Sequence, residues 1–199
     1  MLNFDENKLR ERLAEMPLSC RLAFAVAVAG RLLPCYERYA RLKKHLPLER
    51  PKQIIDGLLR KIDAGDTMVD GWPAILEEVM DLIPEEDPDD AGFLDLLAQH
   101  SLSALAYAVR CFLSGDVQEA AWAGLCEYEA ADQAAIKVLK LDLAAPGAEM
   151  AILSHPFVQR VFEVQDADLQ LLRRGEIKEV LGRSRAQPTF SDEALDRFA

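Results

Sequence analysis

LAFAVAVAGRLL, residues Leu22–Leu33, and AGFLDLLAQHSLSALAYAVRCFL, residues Ala91–Leu113, decide the fold. Each is apolar almost all the way round a helix, and Asp95 and Arg110 are the only formal charges in the second. A helix with apolar side chains on every face must be surrounded by other helices. The two stretches therefore predict the centre of an all-α protein: a single up-and-down helical bundle of about seven main helices, spanning residues 1–199 as one domain. They carry no chemical motif with them.

Starts and stops of helices surround this centre. A first helix is expected over Glu6–Glu15 before Pro17, and a second from Ser19 to about His45. Pro34 falls inside the second with Gly30 four residues earlier, which predicts a kink. Ile54, Ile55, Leu58, Leu59 and Ile62 share one face of a third helix over Pro51–Ala64. Asp70 is expected to cap a fourth, running through Ile83. The polar run Pro84-Glu-Glu-Asp-Pro-Asp-Asp90 reads as an exposed acidic connection. Gly115 suits a left-handed helix end, and Asp116 with Glu119 makes a capping-box-like start for a helix reaching to about Leu143. Ser154 is expected to cap a late helix with Pro156 in its first turn. Residues 183–199 read as a short C-terminal extension headed by Ser191.

Charge and cysteines narrow the classes of function. The net charge is −11, with residues 1–65 at +5, 66–150 at −15 and 151–199 at −1. A net-acidic protein repels phosphate backbones, so no nucleic acid is expected as a partner. Cys20, Cys35, Cys111 and Cys126 stand singly in helical patterns, which suits buried reduced thiols. The apolar run at Leu22 follows Asp5, Glu6, Glu11 and Glu15, unlike the short basic start of an export signal. Polar residues also interrupt the longer apolar stretch, so no membrane span and a cytoplasmic location are expected.

The run from Arg21 to Tyr36 spaces Arg31, Pro34 and Tyr36 as R-x-x-P-x-Y. It is followed by an Ile54-Ile55-Asp56 helix, a Leu113-Ser-Gly115 junction, and His155-Pro156-Phe157-Val158-Gln159 entering a late helix. Over roughly Leu9–Leu172 this resembles the YjaG-like bacterial family, a domain of unknown function with an all-helical up-and-down bundle. Leu59 stands where that family favours Trp, Gln99-His100 where it favours an Ile-Asp pair, and its usual tail is missing. The resemblance thus implies a divergent member, and it implies no reaction.

Candidate chemistry is sparse. The residues three before His45, His100 and His155 are Leu42, Leu97 and Ile152, so no Glu-x-x-His pair of a di-iron bundle exists. An EF-hand-like register on Asp87 and Asp89 would put Ala98 at the bidentate position, which fails for calcium. No metal and no cofactor are expected. Glu127, Glu129 and Asp132 are expected on a solvated flank, since 127 and 129 point to different faces. His100 sits mid-helix near Tyr107, either as a core histidine or as the centre of a pocket; burial would lower its pKa. Arg31 with Tyr36 near Pro34 is a further candidate binding pair, although a surface charge is the plainer reading of Arg31.

The expected role is a non-catalytic protein-interaction or regulatory module, not an enzyme, with an unidentified protein partner. The alternative is a small-molecule binder or enzyme whose pocket lies between the central helices near His100 and Tyr107. A polar-lined cavity at His100, rather than a closed dry core, is what separates the two. A homodimer is expected, paired through an apolar stripe left exposed on an outer helix, such as Ile54, Leu58 and Ile62 or Phe157, Val161, Val164 and Leu171.

Overall fold

The computed structural model describes residues 4–84 and 92–198, and these contain helices and no strand. In chain order they are α1 (Glu6–Ala14), α2 (Leu18–Lys43), α3 (Arg50–Ala64), α4 (Trp72–Leu82), α5 (Phe93–Ser114), α6 (Val117–Leu139), α7 (Ala148–Leu153), α8 (Pro156–Arg173), α9 (Ile177–Ala186) and α10 (Asp192–Phe198). The two apolar stretches form α2 and α5, which make the largest contact in the molecule, with α6 packed beside both. The seven main helices expected are α1–α6 and α8; among the described residues α7, α9 and α10 are additional short pieces set off by Gly147, Gly175 and Pro188. The acidic connection, from 85 to 90, lies outside the described residues.

Small side chains let the three central helices approach closely. Ala23, Ala25, Ala27 and Ala29 of α2, Ala104 and Ala108 of α5, and Ala120, Ala121, Ala123, Ala130 and Ala134 of α6 are all buried. Gly124 of α6 is the tightest point. A Cβ there would stand 2.8 Å from Leu9 Cδ2 and 3.2 Å from Phe24 Cε1, so any larger residue would have to displace both side chains. Gly115 turns the chain from α5 to α6 at φ +70°, its N–H donating to the Cys111 carbonyl.

Three caps differ from the sequence expectation. Gly71, left-handed at φ +78°, precedes α4, and no side chain caps that helix, so Asp70 does not serve. Asp116 accepts from the Gln118 N–H at 2.9 Å, the second residue of α6, so Glu119 is not part of a reciprocal box. His155 takes the role given to Ser154: its Nδ1 accepts from the Phe157 N–H at 3.2 Å, while Ser154 ends α7.

α2 runs unbroken through Pro34. α9 packs against it near Gly30, where a Cβ would stand at the ordinary contact distance of 3.5 Å from Ser184 Oγ. One residue on, the Arg31 carbonyl accepts from the Thr189 N–H at 3.1 Å. Residues 183–198 are thus tied into the bundle, with Phe190, Ala194, Leu195 and Phe198 in the main core. Phe190 packs edge-on against Phe157 and Phe198.

The stripes expected to stay exposed are folded inward. Ile54, Leu58, Val161 and Leu171 are buried within the chain, and Ile62, Phe157 and Val164 are half-buried. By length and composition α2 and α5 could each cross a membrane, yet 67% and 61% of their apolar windows are buried in the fold. All four cysteines are free and buried, and burial pushes the Cys111 and Cys126 thiols up to about 12.

Candidate binding site

Arg31 corrects the reading of it as a surface charge. Its side chain is 2% exposed and lies between Glu127 of α6, at 1%, and Asp168 of α8, at 0%. The guanidinium grips Glu127 with two bonds, Nε to Oε1 at 2.7 Å and Nη2 to Oε2 at 2.8 Å, and reaches Asp168 Oδ2 from Nη1 at 2.6 Å. Glu127 is therefore no solvated flank either. Gln165 Nε2 donates to its Oε2 and to the Gly124 carbonyl, each at 3.0 Å, and Thr189 Oγ1 donates to its Oε1 at 2.8 Å.

The two carboxylates are unequally served. Burial works against the charged form of Glu127, but the Arg31 charge and the bonds from Arg31, Gln165 and Thr189 outweigh it and hold the carboxyl below its usual value. Asp168 receives only the Arg31 bond, and its Oδ1 has no hydrogen-bond partner. Burial pushes its carboxyl up, Arg31 pulls it down, and the neighbouring Glu127 charge pushes it up again; the result is raised. This cluster ties α2, α6, α8 and the C-terminal segment together and is closed to solvent. It is a structural core of charge.

Sequence reasoning places Glu127 on a solvated flank and misses Asp168, Gln165 and Thr189, yet the three charges of the cluster carry a shared signal. The neighbours at three and four residues either side of Arg31 are Ala27, Val28, Pro34 and Cys35; those of Glu127 are Ala123, Gly124, Ala130 and Ala131. Those of Asp168 are Val164, Gln165, Leu171 and Leu172. A charge flanked above and below on its own helix face by apolar or small residues faces the core and needs a partner there.

The solvent-accessible candidate is elsewhere. A groove of about 380 Å³ runs between α5 and α6, lined by Gln99, His100, Ser103 and Tyr107 from one side and Cys126, Glu129, Asp132 and Gln133 from the other, with Leu96 at its edge. His100, 15% exposed, points its Nδ1 at Glu129 Oε2 across 3.7 Å, and burial drops its pKa to about 4, leaving it neutral at pH 7. Burial and the charges of Asp132 and Glu6 push Glu129 up. Burial pushes Asp132 up against the Tyr128 hydroxyl, which donates to it at 3.4 Å.

The structure thus brings His100 and Tyr107 to one groove. Tyr36 and Arg31 do not join it. Tyr36 is fully buried and donates its hydroxyl to the Pro47 carbonyl at 3.2 Å, pinning the α2–α3 connection. Among the described residues no group of three or more His, Cys, Asp and Glu is placed to hold a metal ion.

The fold is that of an all-helical bundle protein. It is similar to the crystal structure of a DUF416 family protein from Shewanella baltica, with a TM-score of 0.73 and 14% identity, covering 100% of this chain and 92% of that one. At that identity the likeness is one of fold. No family model matches the chain, and no curated protein does.

Proposed function

We propose that this chain is a divergent YjaG-like protein that works in the cytoplasm as a binding protein, its ligand site being the groove between α5 and α6. The observation that carries this reading is the polar lining around His100: seven polar or titratable side chains and one thiol from two facing helices converge on one opening. That is the feature that separates a small-molecule binder from an interaction module with a closed core. A panel of small polar metabolites tested by thermal shift, on the native chain and on Ser103→Trp, examines it. A ligand at about 100 times its Kd adds about 2.7 kcal/mol, which raises the Tm by several degrees in a chain of this size. That shift is expected to vanish in Ser103→Trp, which fills the groove. No shift by any compound, or an equal shift in the variant, counts against it.

A second reading, the self-pairing interaction module, is favoured by Val138, Leu139, Leu143 and Met150. These large apolar side chains stand exposed where α6 ends and α7 begins. A second copy suits them because the basic first third of one chain complements the acidic middle of another. Light scattering after size exclusion at micromolar concentration is expected to give about twice the chain mass of 22.2 kDa. A mass equal to one chain removes this reading and leaves the groove untouched.

A further inference from the structure

We propose that a separate pocket, between α1 and α8, takes a neutral molecule the size of one aromatic ring that carries a hydroxyl, as phenol does. It stands apart from the α5–α6 groove and does not depend on it. The pocket holds about 140 Å³, and a cavity of about 150 Å³ walled by leucine and phenylalanine accommodates benzene. Phe4, Leu9, Phe162 and Leu169 supply such walls here. The aromatic ones are braced from behind. Tyr128 stacks on both, with ring centroids 4.8 Å from Phe4 and 5.7 Å from Phe162.

A buried amide among these walls selects the hydroxyl. Gln165 is 5% exposed and lines the pocket. Its Nε2 donates away from it, to the Gly124 carbonyl and to Glu127 Oε2, each at 3.0 Å. Two acceptors on one end of the amide fix that end as the nitrogen. Both bonds that Gln165 makes to the described residues thus use Nε2, and Oε1 is the end left for the pocket. An acceptor set among apolar walls favours a guest with an O–H over one of the same shape without it.

The rim sets the charge. It carries Lys8 and Arg12 against Asp5 and Asp166, two charges of each sign. Asp5 caps α1 by accepting from the Lys8 N–H, and Arg12 pairs with Asp166 at 2.8 Å. A rim with no net charge gives an ion no advantage, so the ring and its hydroxyl are what the pocket reads.

Titration of the full chain with phenol and with fluorobenzene, which has the same ring and no donor, tests this by amide NMR. Phenol is expected to bind once per chain, at least tenfold more tightly than fluorobenzene, and to shift the amides of Leu9, Phe162 and Leu169. Gln165→Met keeps the length of the side chain and removes the acceptor, and it is expected to abolish the preference for phenol. Gln170→Met, the same change on the exposed face of α8, is expected to preserve it. If Gln165→Met does not fold, the ratio of the two affinities in the native chain decides alone. Fluorobenzene binding as tightly as phenol overturns the proposal, as does a preference that survives in Gln165→Met. Phenol binding that disappears in Ser103→Trp places the guest in the α5–α6 groove and also overturns it. No phenol binding overturns it while leaving that groove a ligand site.

Discussion

Arg31→Met lowers the stability of the fold by about 3–5 kcal/mol, the expected cost of removing one partner from a buried ion pair. The size of the loss comes from what is left behind. Glu127 and Asp168 remain buried in the core without the guanidinium that bonded both. The pH dependence separates this account from a simple packing loss. In the native chain Glu127 is held below its usual value, so its contribution is present at neutral pH and is lost as acid titrates it. Asp168 is raised, so its linkage runs the other way and costs stability as pH rises. Without Arg31, burial and the repulsion between the two carboxylates act against only the Gln165 and Thr189 bonds to Glu127 and the Arg183 charge near Asp168, and the variant regains stability as pH falls through the carboxylate range. Chemical denaturation of native and variant chains at pH 7 and pH 5 measures it. A loss that is the same at both values shows that charge burial is not the cause.

Phe190→Ala is expected to cost about 3–5 kcal/mol, the usual range for emptying a large aromatic site in a core. Phe190 is fully buried, packs against two other phenylalanines, and follows Thr189, whose backbone and hydroxyl reach Arg31 and Glu127. The loss should therefore appear beyond the C-terminal segment. Amide exchange at Thr189, and at residues of α6 around Glu127, is expected to accelerate together. Acceleration confined to residues 187–198 would mean that the segment is fastened on without supporting the charge cluster.

The helices were legible because apolar periodicity reports burial on its own element. Leu22–Leu33 lies within α2, and the described part of the second apolar stretch forms α5, Phe93–Ser114, in the centre; Gly115 ends that helix in the left-handed turn expected of it. The caps were less so: Asp70 and Ser154 each stand one position before the residue where the backbone turns, and Asp116 caps α6 as expected while Glu119 makes no reciprocal bond. The charge cluster was not legible, for a different reason. Locally Arg31 has only Pro34 and Tyr36 beside it, whereas its partners lie 96 and 137 residues along the chain. A helix face tells that a charge is buried, but the identity of its partner is a property of packing between helices. His100 and Tyr107 meet in one groove because seven residues is two helical turns, a local relation the sequence does hold. That Glu129 and Asp132 form the opposite wall is again a matter of how α5 and α6 pack.

The long spans of the Arg31 bonds bear on the order in which the polypeptide is made. The ribosome releases α2 first, with its guanidinium embedded in a stretch of alanine, valine and leucine that seeks to collapse. Its first acidic partner follows only when α6 emerges, the second with α8, and Thr189 later still. A collapse around α2 before then would bury the guanidinium without the partners that offset its desolvation. The cluster is therefore completed only once α8 has been made.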